Sequence, residues 1–320
     1  MSSSTKQPYN MNPIYHIAEA LVEYVKSQAS SEATYLHKLA MMDNWQHELQ
    51  LSYNDNPMSW RLMKSSVEGD NTSTDEIVFT IQGFIIEKSL PPVRTAPRLL
   101  DTQPYLLEQR ISISGLNTPT FERSVSALLD LFPVLVRQFP DGQFDSFQFG
   151  NCPVTDGRVV SFSNRYFTRK KDAPGLTPAP FPTQVDPLGI LKGKLSSALI
   201  HTQENDVEYY IQLTDSDGTK KFRSTSPQTF RIGDLVKVQF SLVVFQKLRS
   251  LPTFRMILKQ LLSNPAYPLT PVKRSKRRVG YEIEQPSSPE KHVCFDDEEM
   301  EEAEHDSSIN KLQNMSLGPS

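Results

Sequence analysis

Cysteine, glycine and long apolar runs are all scarce in this 320-residue chain. Two cysteines, Cys152 and Cys294, are too few for a disulfide framework or a cysteine-rich metal site, which favours a reducing compartment. No stretch approaches the roughly 18 consecutive apolar residues of a membrane-spanning helix, so we expect no membrane partner. The 13 glycines are outnumbered by 24 prolines, which favours stiff connections between elements.

Local motifs of enzymes and cofactor sites are also missing. The chain has no His-Glu-x-x-His, no Gly-x-x-x-x-Gly-Lys phosphate loop, no Gly-x-Gly-x-x-Gly and no Gly-x-Ser-x-Gly. Its six histidines are scattered. Asp215-x-Asp217-Gly218 lacks the remaining ligands of a calcium loop and is typical of a hairpin turn. The sequence therefore names no catalytic residue, no metal ligand and no cofactor, and we expect a binding protein rather than an enzyme.

Charge is distributed unevenly along the chain. From Gly280 to Ser320 two Lys stand against eleven Asp and Glu, so this segment carries −9. The preceding 279 residues carry +6, which permits contact with nucleic acid without requiring it. The acidic residues concentrate at 296–304. This run is a solubilising tail, a mimic of nucleic acid that folds back on the basic residues before it, or a docking site for basic nuclear proteins.

A basic cluster precedes the acidic run and consists of Lys273, Arg274, Lys276, Arg277 and Arg278. Such clusters serve in nuclear import or in phosphate contact, although a charge run is often simply solvated. Two matches to the minimal site of proline-directed, cyclin-dependent-type kinases flank it, at Thr270-Pro271-Val272-Lys273 and Ser288-Pro289-Glu290-Lys291. We therefore expect a nuclear protein with an import receptor as partner and with phosphorylation at Thr270 and Ser288.

The apolar patterns predict an α+β protein with a mixed helix/strand N-terminal domain over residues 1–150. Its predicted elements are helices at 14–25, 31–51 and 119–139, the last kinked by Pro133, and strands at 77–86 and 110–114. Residues 158–187 are predicted to form one strand, over 158–169, followed by a linker. That linker contains five prolines between Ala173 and Pro187.

The region 188–264 is predicted to be a small OB-like or curled-sheet β-rich C-terminal module. Its predicted strands are 190–200, 208–213, 220–223, 235–245 and 253–262, although the last also fits a helical period. Residues 265–320 are predicted to be a disordered tail, first basic and then acidic.

Aromatic and basic residues are interleaved in two places. The first patch contains Arg165, Tyr166 and Arg169, followed by Lys170 and Lys171. The second contains Lys220, Lys221, Arg223 and Lys237, together with Tyr210 and Arg255. Stacking on aromatic rings beside a positive groove is how OB-type barrels hold single-stranded nucleic acid. The simpler interpretation places the aromatic rings in the core and the cations in solvent.

Three segments of the C-terminal part carry a resemblance to known sequences. They are Asp186-Pro187-Leu188-Gly189, Leu199-Ile200-His201-Thr202 with Asn205 and Val207, and Phe230-Arg231-Ile232-Gly233-Asp234-Leu235-Val236 leading into 239–244. Over about residues 183–263 the chain resembles uncharacterised proteins of basidiomycete fungi. That family has no known activity and implies no catalytic residue. The transposon-like genomic settings of its members slightly favour a nucleic-acid role, and its members favour a strand over 255–262.

These features together predict a nuclear, non-enzymatic binding protein that contacts nucleic acid or chromatin and is regulated through its charged tail. The alternative is a protein-interaction module whose sheet docks a peptide or a partner protein. The salt dependence of binding affinity distinguishes these two hypotheses. Affinity that comes from phosphate contacts falls steeply as the salt concentration rises, whereas the affinity of an apolar interface barely changes.

A Thr270→Glu variant tests control by charge. Phosphate adds about −1.5 to −2 charges, so a negative group at Thr270 should weaken any interaction that depends on the adjacent Lys and Arg. We expect the variant to be less nuclear than the wild type in cells, by fluorescence microscopy of tagged chains, and to bind its partners less tightly. Identical localisation and binding would contradict the switch.

Overall fold

The structure is a computed structural model. It describes residues 21–22, 25, 35–55, 58–68, 71–137, 139, 149–152, 157–214, 220–245 and 252–263. The described residues fall within one compact unit. The tail predictions, at Thr270, 273–278, Ser288 and 296–304, lie outside the described residues, and so does most of the first predicted helix.

Strands dominate the described part of the chain. The strands are β1 (Leu49–Asp55), β2 (Met58–Glu68), β3 (Asn71–Glu76), β4 (Phe79–Ser89), β5 (Glu108–Ser114), β6 (Gly150–Asn151), β7 (Arg158–Arg165), β8 (Thr168–Arg169), β9 (Leu199–Ile200), β10 (Glu208–Thr214), β11 (Lys220–Ser224), β12 (Leu235–Phe245) and β13 (Thr253–Ser263). The helices are α1 (Leu36–Leu39), α2 (Arg98–Thr102) and α3 (Pro119–Val136). Short 3₁₀ turns lie at Trp45–Glu48, Pro104–Leu106, Lys170–Asp172, Lys192–Lys194, Gln203–Asn205 and Pro227–Thr229.

Eleven of the strands belong to one sheet, and part of that sheet closes on itself. The strand order is β1-β2-β12-β4-β5-β7-β13-β10-β11, and β12 also pairs with β13. The strands β4, β5, β7, β13 and β12 therefore form a closed ring. Neighbours in this ring are antiparallel, except that β13 runs parallel to β7 at a short seam where Ile257 lies opposite Ser163.

The ring has the topology of an OB-type barrel. Taken in chain order, its strands are β4, β5, β7, β12 and β13, and their spatial order is first, second, third, fifth and fourth. The predicted OB-like module was confined to 188–264, which is wrong in extent. That region contributes β12 and β13 to the five-stranded barrel, and β4, β5 and β7 are the other three strands.

Phenylalanines fill the inside of the barrel. The ring of Phe240 lies 4.8 Å from that of Phe162 and 5.9 Å from that of Phe79, between centroids. Ile81 and Val238 form a directly opposite pair on the same inner side of β4 and β12. All five side chains are buried. Interior positions of a small barrel are filled by side chains in this way, so the barrel is a packed core rather than a channel.

Helix α3 packs on the barrel through its apolar side. Phe121, Val125, Leu128, Leu131 and Leu135 recur at helical spacing and are buried. The helix begins with Pro119 in its first turn, as predicted, and it continues through Pro133 to Val136.

A second, smaller core lies beside the barrel. It is formed by Leu100, Tyr166, Phe167, Val185 and Leu191. The backbone N–H of Val93 donates to the carbonyl of Val185 at 2.9 Å, which joins the β4–β5 connection to the proline-rich segment. The segment predicted to be a linker therefore packs against the body of the protein, and its prolines shape a folded connection.

Several predicted elements differ from the structure. Residues 49–55 form strand β1 where the second helix was predicted to continue, and helix α1 covers only Leu36–Leu39. Strand β3 lies at Asn71–Glu76, where no strand was predicted before residue 77. Only Leu199–Ile200 of the strand predicted at 190–200 is a strand. Strands β4, β5, β10, β11, β12 and β13 confirm their predictions, and β13 resolves the helix–strand ambiguity. Strand β7 ends at Arg165, short of the predicted 169.

Gly115 allows α3 to approach β5, and its replacement tests that packing. A Cβ at Gly115 would overlap the Cβ and ring of Phe121. We expect Gly115→Ala to lower the free energy of unfolding by about 1–3 kcal/mol or more, by urea denaturation. Gly193→Ala is the matched control, because a Cβ there meets nothing within 4 Å. Equal stability of the two variants would contradict the packing.

His37 makes the stability of the fold depend on pH. Burial, together with the charges of Lys38 and Arg123, lowers the pKa of His37 from 6.5 to about 4. Between pH 6.5 and about pH 4, His37 is protonated in the unfolded chain but not in the folded chain. Acidification through this pH range therefore destabilises the fold. We expect wild type to lose more unfolding free energy than His37→Gln between about pH 7.5 and pH 5. Parallel losses in urea titrations would contradict this.

Candidate nucleic-acid interface

The outer side of β5, β7 and β13 carries a group of arginines, here called the barrel face. Side chains alternate across a strand, so the partners of the inward apolar residues point outward. In the β5–β7 register Glu108 lies opposite Arg165, and Arg110 lies opposite Ser163. Arg255 on β13 joins them, with its Nη1 3.6 Å from Oε2 of Glu108. Three guanidinium groups thus surround one carboxylate.

Arg165 lies in an unfavourable electrostatic position on the barrel face. Burial lowers the pKa of its guanidinium, and the neighbouring charge of Arg255 lowers it further, while Glu108 acts in the opposite direction. Glu108 also accepts hydrogen bonds from Arg110. Arg169 adds to the positive charge around Arg165, and Asp172 adds a weaker opposing charge, so cations still outnumber carboxylates here and an added anion is favoured.

Serine hydroxyls line the middle of the same face. Ser112 and Ser161 lie opposite each other in the register, and their Oγ atoms are 2.9 Å apart. Ser163 is half-buried between Arg110 and the β13 seam. Ser112 is buried and its hydroxyl donates to Glu87 at 3.3 Å, whereas Ser161 is exposed and can donate to a phosphate oxygen.

A cleft, here called the Tyr105 cleft, opens beyond the C-terminal end of β7. The guanidinium carbon of Arg169 lies 3.8 Å from the centroid of the Tyr105 ring, a stacked cation–π contact. The cleft has a volume of about 580 Å³, and its lining residues are Tyr105, Arg169, Lys170, Lys171, Ser197, Ala198 and Leu199. It combines one aromatic ring with three cations.

Other cations near the barrel are already neutralised by carboxylates. Arg61 donates to Glu76 at 3.1 Å and to Glu204 at 2.9 Å. Lys259 lies 3.6 Å from the same Glu76. This group has as many carboxylates as cations, unlike the barrel face and the Tyr105 cleft, so it offers less attraction to an incoming anion.

The predicted site residues fall into separate places. Arg165 lies on the barrel face and Arg169 lies in the Tyr105 cleft. Tyr166 is only 3% exposed and packs in the second core, so it cannot stack on a ligand. Lys237 is 8% exposed, with its Nζ 3.3 Å from Oη of Tyr35, so the structure removes it from the predicted surface.

The remaining predicted cations lie on β11, with β10 between them and the barrel. Lys221 and Arg223 lie opposite Leu213 and Ile211, whereas Lys220 lies opposite Thr214, on the other side of the two-stranded ribbon. The predicted group is therefore divided between two faces. All of β11 is exposed.

Sequence reasoning missed Tyr105, Glu108 and Arg110. Arg110 opens the alternating run Arg-Ile-Ser-Ile-Ser, so its outward direction was readable once the strand was predicted. Tyr105 offered no comparable signal, because it lies on a 3₁₀ turn in a proline-containing connection and meets Arg169 only through the fold.

The described residues carry two further findings. Among them, no three His, Cys, Asp or Glu side chains come together as a group that could hold a metal ion. No helix within the same ranges is both long and apolar enough to cross a membrane.

Comparison with solved structures shows a distant likeness. No family model matches the chain, and no curated protein does. Among solved structures, the chain is similar to gp2.5, a single-stranded DNA-binding protein encoded by bacteriophage T7, with 12% identity and a TM-score of 0.33. The match covers 59% of this chain and 86% of the phage protein. A likeness this distant says nothing about what the present chain binds.

Proposed function

We propose that this protein binds single-stranded nucleic acid along the barrel face. The main observation in support of this proposal is the group of three arginines around one glutamate on β5, β7 and β13 of a closed OB-type barrel. The second and third strands of such barrels are the ones that bind oligonucleotides. In this chain those two strands are β5, which bears Arg110, and β7, which bears Arg165.

Phosphate is the ligand group that fits this electrostatic arrangement. Burial and the charge of Arg255 both disfavour the charged form of Arg165, Glu108 and Asp172 oppose them in part, and a bound phosphate would add a further opposing charge. Guanidinium groups bind phosphate oxygens through paired, charge-assisted hydrogen bonds. The release of counterions from the backbone adds a favourable term that falls as salt rises.

A single strand fits better than a duplex because an aromatic ring continues the basic surface. Duplex sequence is read by elements inserted into a groove, whereas single strands combine a basic track with rings on which bases stack. Tyr105 supplies such a ring at the end of the track, in contact with Arg169.

A second candidate function is docking of an extended partner peptide on β11. This strand is exposed along its whole length, and Phe222 within it is 55% exposed. Added strands pair with exposed sheet edges of this kind. The same lysines that cover β11 also discourage edge pairing, which weighs against this candidate.

The proposed setting is the nucleus, where the basic cluster at 273–278 would serve as an import signal. Phosphorylation at Thr270 and Ser288 would then adjust both import and binding through charge. These parts of the proposal are supported by the sequence alone.

An Arg165→Ala variant tests the binding surface. Fluorescence anisotropy with a single-stranded DNA oligomer, the matching RNA and a duplex should give binding of the single strands that weakens steeply between about 50 and 200 mM salt. We expect Arg165→Ala to bind about tenfold more weakly and to lower the steepness of the log–log salt dependence by about 0.7.

Arg137→Ala is the matched control, since Arg137 is exposed at the end of α3. Its affinity should equal that of the wild type. Two outcomes would contradict the proposal: no detectable binding of any nucleic acid, or equal binding by Arg165→Ala and Arg137→Ala. Binding of a peptide partner that barely responds to salt would favour β11.

A further inference from the structure

The Tyr105 cleft is built from three separate stretches of chain. Tyr105 comes from the β4–β5 connection, Arg169, Lys170 and Lys171 come from β8 and the 3₁₀ turn after it, and residues 197–199 come from the approach to β9. Its volume of about 580 Å³ lies within the range of roughly 300–1,000 Å³ that small-ligand pockets occupy. Such a volume accommodates a nucleotide.

Backbone hydrogen bonds hold the walls of the cleft in place. Arg169 pairs with Leu199 in the β8–β9 ladder, and the N–H of Lys170 donates to the carbonyl of Ala198 at 2.9 Å. On the Tyr105 side, the N–H of Tyr166 donates to the carbonyl of Leu107 at 3.0 Å. The cleft is thus formed before any ligand arrives, which reduces the ordering that binding requires.

The lining selects for a ligand that is both flat and anionic. The Arg169 guanidinium stacked on Tyr105 presents a planar, polarisable surface, and aromatic bases stack on such surfaces. Lys170 and Lys171 are exposed at the rim, where a phosphate would meet them. The lining surface is mainly apolar, which suits the flat face of a base, and inorganic phosphate alone would leave that surface uncovered.

The cleft is electrostatically continuous with the barrel face. Arg169 follows Arg165 by four residues, and its charge contributes to the lowered pKa of the Arg165 guanidinium. A strand lying along the barrel face would therefore continue into the cleft past Asp172, whose carboxylate acts on Arg165 in the opposite direction.

We infer that the Tyr105 cleft holds one nucleotide of the bound strand, with its base against the part of the Tyr105 ring that Arg169 leaves uncovered and its phosphate at Lys170 and Lys171. This inference rests on the proposed function and adds to it the position at which a base is bound. Because every base has a flat face that can stack, binding at this position should depend little on base identity.

Photo-crosslinking of the full chain to a single-stranded oligomer containing 5-iodouracil tests the position. Irradiation joins the uracil to an aromatic ring in van der Waals contact with it. Trypsin releases Tyr105 within Leu99–Arg110, in which it is the single aromatic residue, so mass spectrometry identifies the adduct without ambiguity. We expect the main adduct on this peptide.

Affinity measurements on substituted chains complete the test. Tyr105→Ala should bind the oligomer about tenfold more weakly, within the range measured for loss of one stacked base, whereas Tyr105→Phe, which keeps the ring, should bind like the wild type. Tyr53→Ala, which removes an exposed tyrosine on β1, should have no effect. Thermal melting of each variant checks that it is folded.

The outcomes separate this inference from the proposed function. The base site would be overturned if adducts formed only on other rings, such as Phe222, and if Tyr105→Ala bound with normal affinity. Nucleic-acid binding itself would still stand in that case. Loss of affinity in Arg165→Ala alone would lead to the same conclusion. Absence of any binding by the wild type would overturn both.

Discussion

Closure of the barrel by β12 is the constraint on which the rest of the structure depends. This strand pairs with β4 on one side and β13 on the other, and its Phe240 fills the space between Phe79 and Phe162. Closure removes the open edges that β4 and β13 would otherwise expose. Closure also determines which side chains of β5 and β7 point outward, because the apolar residues at every second position of each strand must face the barrel interior.

The barrel face follows directly from that division between inside and outside. Ile111 and Phe162 must face the interior, so their neighbours along each strand must face away from it. Among those neighbours are Arg110 and Ser161. The second core then fixes what lies at the end of β7, since burying Tyr166 and Phe167 turns the chain and presents Arg169 beside Tyr105. Packing therefore positions the charges of both the face and the cleft.

The sequence was informative where one strand or helix carries its own pattern. Alternation identified β4, β5 and β12, and a proline followed by helical spacing identified α3. It failed at β3, whose residues Asn71–Glu76 are all polar because the strand lies off the main path of the sheet. It also failed at 49–55, where Leu49 and Leu51 fit the end of a helix as well as a strand.

Pairing between distant parts of the chain was beyond such reasoning. Lys237 lies opposite Gln82, and no local pattern connects positions so far apart along the chain. The 158–169 pattern was taken as one strand, so Tyr166 was placed among surface residues, although the strand ends at Arg165 and the ring turns inward. Arg165 and Arg169 were predicted, while their partners Glu108 and Tyr105 required the fold.

Hydrogen–deuterium exchange in the presence of a single-stranded oligomer tests the central claim most directly. The account predicts slower exchange in peptides that cover 105–112 and 161–171, because the ligand lies over β5, β7 and the Tyr105 cleft. It predicts unchanged exchange in β11. Protection confined to β11, or no protection anywhere in a complex known to have formed, would contradict the assignment of the barrel face as the binding surface.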